Sequence, residues 1–578
     1  MKAFIRNFLA SLLAFVVFLL VLLGAGAAAL SGDEVKIDDH SYLLIDMYGE
    51  ITEYDPPGGV MAELLGGSPL TLQRVLTAFD LAAEDDRIDG VILKLSAANT
   101  LGGGMIDEIR AAVTRFRQTG KPVYGWGDSI NRKTFTLAAA CDSIFMPRTA
   151  YIDFMGIGLT STHVKKTLQK LGVEPNLHKI KDYKSAAEMV TREDLSEAAK
   201  ENYRWLIDGY WASTLAILSE DRGLDEAEVT ALMEHALFTT EEAVEAGLVD
   251  RALYWDGLEE MLKGEEDDEL RTVSLSDYAE VDPADLGRKG KKKIVVIHAQ
   301  GTIAGRKSKV DPMLGVVMGH ETVVADLREA REDDDVAAIV FRVDSGGGEA
   351  LASDLMGHEV EVTTGVKPVV VSMVDVAASG GYHISYRGTR ILADPNSITG
   401  SIGSISGKFN IKGFHDKIGI THDFVEKGPM AFLYSDQRNF TDDERARFEE
   451  NHWEGFNDWL RDVADHRGMT FEEAEKLAHG RVWSGTQAAE NGLIDEVGDL
   501  NRAIALAKEL GGVPEDEEVT IVHLPEKKGL VDSILEGDFD LAAVARIAAY
   551  RLVRQELVDT WRGLLSGPTA LMDPVEID

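Results

Sequence analysis

The body of this chain is written twice, and that repetition limits its fold more than any other feature. Leu43-Leu44-Ile45-Asp46 with Gly49-Glu50-Ile51 is matched by Ile294-Val295-Val296-Ile297 with Gly301-Thr302-Ile303. Glu84-Asp85-Asp86 and the apolar run Val91–Leu95 are matched by Asp333-Asp334-Asp335 and Ile339–Val343. Lys121-Pro122-Val123 returns as Lys367-Pro368-Val369, and Ala246-Gly247-Leu248-Val249-Asp250 as Asn491-Gly492-Leu493-Ile494-Asp495. The matches keep one order at offsets that drift only from 251–252 through 248–249 and 246 to 245 residues, the spacing of a tandem duplication with few insertions.

Within each copy, short β-branched runs such as Val91–Leu95 and Val369–Val371 alternate with longer helical patterns, which predicts a layered α/β domain. The expected order is an anchor at 1–30, an N-terminal copy at 31–270, a linker at 271–293, a C-terminal copy at 294–512 and a helical extension at 513–578. Pro283 and the basic cluster around Gly290 mark the linker. Leu541, Val544, Ile547, Ala548, Leu552 and Leu557 recur at helical spacing in the extension, which reads as a packing helix or, alternatively, a membrane-surface helix.

Asp and Glu number 99 against 59 Lys and Arg, a net charge of −40 that repels phosphate backbones and argues against nucleic acid as a partner. The single cysteine, Cys141, excludes an intramolecular disulfide and any multi-cysteine metal site. There is no His-Glu-x-x-His motif, and Gly403–Lys408 lacks the spacing of a phosphate loop, so no metal or cofactor is expected. From Phe8 to Leu30 there are 23 uncharged residues, preceded by Lys2 and Arg6 and followed by Asp33 and Glu34. That stretch can span a bilayer, with the short amino terminus inside and the body outside. An uncleaved single-pass anchor is expected; the alternative is a cleaved signal peptide, because Ala25-Gly26-Ala27 resembles a cleavage site.

The candidate chemistry sits where the copies differ. Ile339–Val343 runs into Asp344-Ser345-Gly346-Gly347-Gly348, a turn that can expose backbone N–H groups and admit a substrate backbone. Val369–Val371 leads to Val376-Ala377-Ala378-Ser379-Gly380-Gly381-Tyr382, a strand-to-helix turn that would present Ser379 Oγ beside donors aimed at an oxyanion. Alone, each cluster reads equally as a tight turn, with Ser379 a helix cap; their pairing in a duplicated α/β domain points to nucleophilic catalysis. A serine needs a base. His383, one helical turn on, would point away from Ser379. The first copy offers Lys184 within Lys181-Asp182-Tyr183-Lys184-Ser185-Ala186, with Lys181 as its rival. At the 246 offset Lys184 falls on Met430 and Ser379 falls near Lys133, so each copy holds what the other lacks. That complementary loss implies one composite site between the copies, where burial would lower a lysine from its ordinary pKa of about 10.4.

Ala377–Tyr382, Ser345–Gly348, Thr399-Gly400-Ser401-Ile402-Gly403 and Tyr183–Ala186 closely resemble the signal peptide peptidase A (protease IV) family in its long, two-copy form, over almost the whole chain. The resemblance implies a Clp-protease/crotonase-like fold and a serine endopeptidase with a Ser–Lys dyad. Ser379 would be the nucleophile and Lys184 the general base. Gly347, Gly348 and Gly380 would bind the oxyanion, and Ser401 would hold the lysine amine. It further implies a homo-oligomer, expected as a homotetramer, on the outer face of the bacterial cytoplasmic membrane, degrading cleaved signal peptides and other unfolded peptides. Two positions depart from the family pattern. Gly346 stands where proline is usual, which removes a rigid φ from the oxyanion turn, and Ala187-Glu188-Met189 keeps the glutamate without a common proline. The competing functions are a crotonase-like acyl-thioester enzyme, which also uses backbone N–H groups for an oxyanion, and a non-catalytic membrane scaffold.

Overall fold

The computed structural model describes residues 37–55, 70–264, 268–311 and 313–526. The expected anchor and the apolar periodicity of 541–557 lie outside them. No helix among the described residues is long and apolar enough to cross a membrane.

Each copy builds an eight-stranded sheet, and the two sheets are wired alike. The first runs Arg251–Ala252, Ser143–Met146, Val123–Asn131, Ile88–Asn99, Ser41–Gly49 and Thr272–Ser274 in spatial order; Tyr151–Asp153 branches from Val123–Asn131 and pairs with Leu237–Thr239. In the second, Lys292–Gln300, Val336–Ser345 and Val369–Ala378 form the centre, with Val519–Leu524 at one edge. Ile398–Gly400 and Arg390–Ala393 both branch from Val369–Ala378, toward Val482–Ser484 and Glu496–Val497 respectively. Every pairing is parallel except Ile398–Gly400 with Val482–Ser484 and its counterpart Tyr151–Asp153 with Leu237–Thr239. Central parallel strands are covered on both faces and therefore read as unbroken apolar runs, as Val91–Leu95 and Ile339–Val343 do.

Two expected boundaries move. Residues 271–293 are not a free linker: Thr272–Ser274 pairs with Ser41–Gly49, and the buried Tyr278 donates from its hydroxyl to Asp85 Oδ2 at 3.0 Å. The charges and Pro283 hide three anchoring side chains, Val273, Leu275 and Tyr278, all buried in the first core. Residues 513–526 do not begin a helical extension either, because Val519–Leu524 is a strand beside Lys292–Gln300. It occupies the place in the second sheet that Thr272–Ser274 holds in the first.

The copies share a core. On the second sheet Val295, Ile297, Ile339, Phe341, Val369 and Val371 face helices of their own copy. The alternate residues Val296, Val340, Val370 and Val374 join the core of the first copy, with Phe79, Ile109 and Phe116. Side chains alternate between faces along a strand, so one sheet seals two compartments. Arg342 crosses this junction fully buried, 0% exposed, donating from Nε to Glu53 Oε1 (2.8 Å) and from Nη1 to Glu108 Oε1 (2.6 Å) and Ser372 Oγ (2.7 Å). Burial alone would raise the Glu53 carboxyl, but Arg342 and His298 outweigh it and hold the group down at about 2.

Candidate active site

A two-stranded ribbon carries the first copy into the second. Glu174–Lys179 pairs antiparallel with Ile405–Asn410, and Ile180 N–H continues the register to Ser404 O at 2.9 Å. The chain beyond Ile180 therefore runs back along 404 toward 401. There Lys184 Nζ donates to both Ser401 O and Ser401 Oγ, each at 2.9 Å. Lys184 is 8% exposed. Its burial depends on Gly480, at φ 84°, where a Cβ would stand 2.5 Å from Lys184 Cα, and on Gly403, where one would stand 3.3 Å from Cδ. That burial lowers the amine from 10.5 to about 7, because the low-dielectric surroundings disfavour the ammonium and, among the described residues, no carboxylate offsets that penalty.

Ser379 follows the buried strand Val369–Ala378 and precedes the short helix Gly380–His383. Its backbone is at φ 56°, ψ −114°, a conformation rare for a residue with a Cβ. Ser379 N–H donates to Gly400 O, and Ser379 O accepts from His383 N–H, both at 2.9 Å, so the turn is held from both sides. Strain of this kind costs on the order of 1–3 kcal/mol and persists where the surroundings enforce it.

The glycine turn at 346–348 abuts this serine. A Cβ on Gly347 would lie 2.5 Å from Gly380 N, and one on Gly380 would lie 3.0 Å from Gly348 N. Among the described residues the amides of Gly348 and Gly380 have no hydrogen-bond partner, whereas Gly347 N–H already donates to Ser345 Oγ at 3.2 Å. Of the three glycines expected to bind an oxyanion, two present free donors and Gly347 supplies the bend between them.

Ser379, Lys184, Gly348, Gly380 and Ser401 line one open cavity of about 1210 Å³. The rival bases fare differently. His383 lies on the cavity wall, stacked on Trp459 with ring centroids 4.7 Å apart and its Nε2 3.5 Å from Asp354 Oδ1. Lys181 is half-exposed, with Nζ 3.6 Å from Glu475 Oε1. Strand pairing aligns Ala378 with Gly400 and Asn131 with Asp153, which puts Arg132, rather than Lys133, in the first-copy place of Ser379. Sequence reasoning placed Gly403 in a motif without seeing that it packs on Lys184, and it missed Gly480 and the helix Asp442–Arg467, which contributes Phe448, Phe456 and Trp459 to the cavity. Gly480 follows an ordinary helical stretch and carries no motif, so no local signal marks it.

A half-buried serine, a buried amine of low basicity and two free amides on one cavity are the equipment of a serine hydrolase. Comparison with known proteins refines that class. The model of Peptidase family S49 matches residues 115–267 and 362–514, once in each copy. The chain is 33% identical over 476 residues to the chloroplastic serine protease SPPA of Arabidopsis thaliana, covering 81% of this chain and 70% of that one. It is 30% identical to Protease 4 of Salmonella typhi, over 88% and 84% of the two chains, and 31% identical to Protease 4 of Haemophilus influenzae, over 77% and 74%. Among solved structures it is similar to a mutant ClpP1 of Listeria monocytogenes, with a TM-score of 0.23 and 15% identity over 36% of this chain and 94% of that one. This chain belongs to peptidase family S49, and it is a serine peptidase. Neither an acyl-thioester enzyme nor a scaffold accounts for that membership.

Proposed function

We propose that the chain is a membrane-anchored endopeptidase that degrades cleaved signal peptides and other unfolded peptides through a Ser379–Lys184 dyad. The observation that carries the reading is the state of Lys184: a buried amine whose two N–H bonds are spent on Ser401 O and Oγ. A neutral amine has two N–H bonds and one lone pair. With both N–H bonds committed, the lone pair is what remains to take the Ser379 proton.

The steps balance without a cofactor. Ser379 Oγ bonds to the peptide carbonyl carbon while its proton passes to Lys184 Nζ. The oxyanion that forms is met by Gly348 N–H and Gly380 N–H, donors fixed before charge develops. The C–N bond then breaks, and the leaving amine takes the proton from Lys184. Water attacks the acyl-serine and gives a proton to Lys184, which returns it to Ser379 as the acid product leaves.

The cavity suits extended chains with small or apolar side chains, since Leu351, Phe448, Phe456 and Trp459 line it together with glycines and serines. Apolar contacts discriminate weakly, roughly 10- to 200-fold per methylene, so a broad peptide range is expected. The uncharged run Phe8–Leu30 would tether this site beside the membrane where signal peptides are released. A homotetramer on the outer face of the bacterial cytoplasmic membrane completes the reading, after the family it resembles. The test is incubation with a synthetic signal peptide, a folded protein and an acyl-CoA thioester. Cleavage of the peptide alone, lost in Ser379→Ala, is expected; thioester turnover with the peptide left intact would overturn the proposal.

A further inference from the structure

Three consecutive glycines, Gly346, Gly347 and Gly348, form the turn that must hold Gly348 N–H opposite Gly380 N–H. Glycine has the widest backbone freedom of any residue, and Gly346 lies exposed with nothing within 4 Å of where a Cβ would be. Left to itself such a turn would sample many shapes, and the two donors would seldom converge.

The turn is clamped to the segment Gly301–Ile303 by a ladder of hydrogen bonds. Gly301 N–H donates to Asp344 O (2.9 Å), Ile303 N–H to Gly347 O (3.0 Å) and Glu349 N–H to Ile303 O (2.8 Å). Between the first and second of these sits the Ser345 hydroxyl. It donates to Gly301 O at 2.6 Å and accepts from Gly347 N–H at 3.2 Å. Ser345 is 2% exposed and its bond from Gly347 N–H is buried, so water does not compete for that bond. Among the described residues these are the only bonds clamping 344–349 to Gly301–Ile303, or closing the glycine turn on itself, that come from a side chain.

We infer that Ser345 is a positioning residue for peptide hydrolysis, its hydroxyl bracing the glycine turn so that Gly348 N–H and Gly380 N–H converge on one point. This rests on the serine-peptidase reading of the same cavity. Ser345 touches no substrate; it acts through Gly347. Without the hydroxyl, the half-buried Gly301 O and the buried Gly347 N–H lose their partner, and Gly347, at φ 97°, loses the bond that holds its bend. Lys184 has no part in the ladder, so its proton affinity should be untouched.

The experiment compares the full-length enzyme with Ser345→Ala and with the isosteric pair Ser345→Thr and Ser345→Val, which differ only in the hydroxyl. Hydrolysis of a fluorogenic peptide gives kcat, KM and the pH midpoint. Inhibition by a peptide aldehyde, whose hemiacetal oxygen seeks the same two amides, reads oxyanion geometry directly. Loss of a single oxyanion donor costs about 100- to 1000-fold in kcat, and a loosened donor should cost less. For Ser345→Ala a fall in kcat of about 10- to 100-fold is expected, with KM within about threefold, an unmoved pH midpoint and an aldehyde Ki that rises in step with the loss of kcat/KM. Ser345→Thr should exceed Ser345→Val by at least about tenfold in kcat. Wild-type kcat in Ser345→Ala, equal rates for the Thr and Val variants, an unchanged aldehyde Ki or a shifted pH midpoint each overturns the inference. If Ser345→Ala does not fold, the Thr-to-Val ratio decides. Ser379→Ala is run in parallel: an active Ser379→Ala enzyme refutes the peptidase reading itself, whereas a dead one beside a normal Ser345→Ala refutes only the role of Ser345.

Discussion

Replacing Lys184 by methionine should abolish activity and, in the same stroke, stabilise the fold by an amount that depends on pH. Burial lowers the Lys184 amine from 10.5 to about 7. Each pKa unit corresponds to about 1.4 kcal/mol, so holding this amine inside the folded protein costs about 4–5 kcal/mol at pH 7 and below. Between about 7 and 10.5 the unfolded chain carries the lysine proton and the folded chain does not, so unfolding takes up a proton. Stability therefore rises with pH across that window; the penalty is complete below it and gone above it. Methionine has similar length and no charge, and it forfeits the two bonds to Ser401, worth about 1 kcal/mol each. The net expectation is that Lys184→Met is about 2–3 kcal/mol more stable than wild type near pH 7, with the advantage vanishing or reversing toward pH 10.5. Urea unfolding of both proteins at steps between pH 7 and 10 measures it. In the same preparations, wild-type kcat/KM should fall about tenfold per pH unit below about 7 and level off above. A stability difference that is flat with pH, or a rate that rises only near the free-lysine value, would refute the buried neutral amine.

Three further outcomes are expected. Gly480→Ala puts a Cβ 2.5 Å from the Lys184 backbone at a φ of 84°, and should lower kcat/KM more than about tenfold while costing about 1–3 kcal/mol of stability by urea unfolding. Arg342→Met leaves Glu53 and Glu108 buried without their cation and should destabilise the chain by about 3–5 kcal/mol, read from the same midpoint shift. Lys184→Arg should be nearly inactive at any workable pH because guanidinium keeps its proton, whereas Lys181→Ala should retain most of the wild-type kcat/KM.

The duplication was legible in the residues because matched runs such as Val91–Leu95 and Ile339–Val343 lie on equivalent central strands, where burial on both faces restricts what can be substituted. Edge strands carry less of that signal. Thr272–Ser274 spans only three residues among charged neighbours, and Val519–Leu524 precedes the helical periodicity of Leu541–Leu557, so neither stands out from the segment beside it. Lys184 and Ser379 could be singled out because each is missing from the opposite copy. The environment that makes Lys184 a weak base could not, since Gly403 and Gly480 lie more than 200 residues downstream and meet it only through the ribbon of Glu174–Lys179 with Ile405–Asn410. The Ser345 brace was hidden for a similar reason: its partner Gly301 is a turn glycine with a carbonyl to offer and no side chain to announce it.

The central claim is that a serine from one copy is activated by a lysine from the other. Its most direct measurement is the rate and site of covalent labelling by a fluorophosphonate, read by peptide mass spectrometry in wild type, Ser379→Ala and Lys184→Ala. The expected result is a single adduct on Ser379, none in Ser379→Ala, and labelling at least about 100-fold slower in Lys184→Ala, with a wild-type rate that climbs through pH 7 as Lys184 loses its proton. An adduct on another residue, or labelling of Ser379 that is as fast without Lys184 as with it, would contradict the claim.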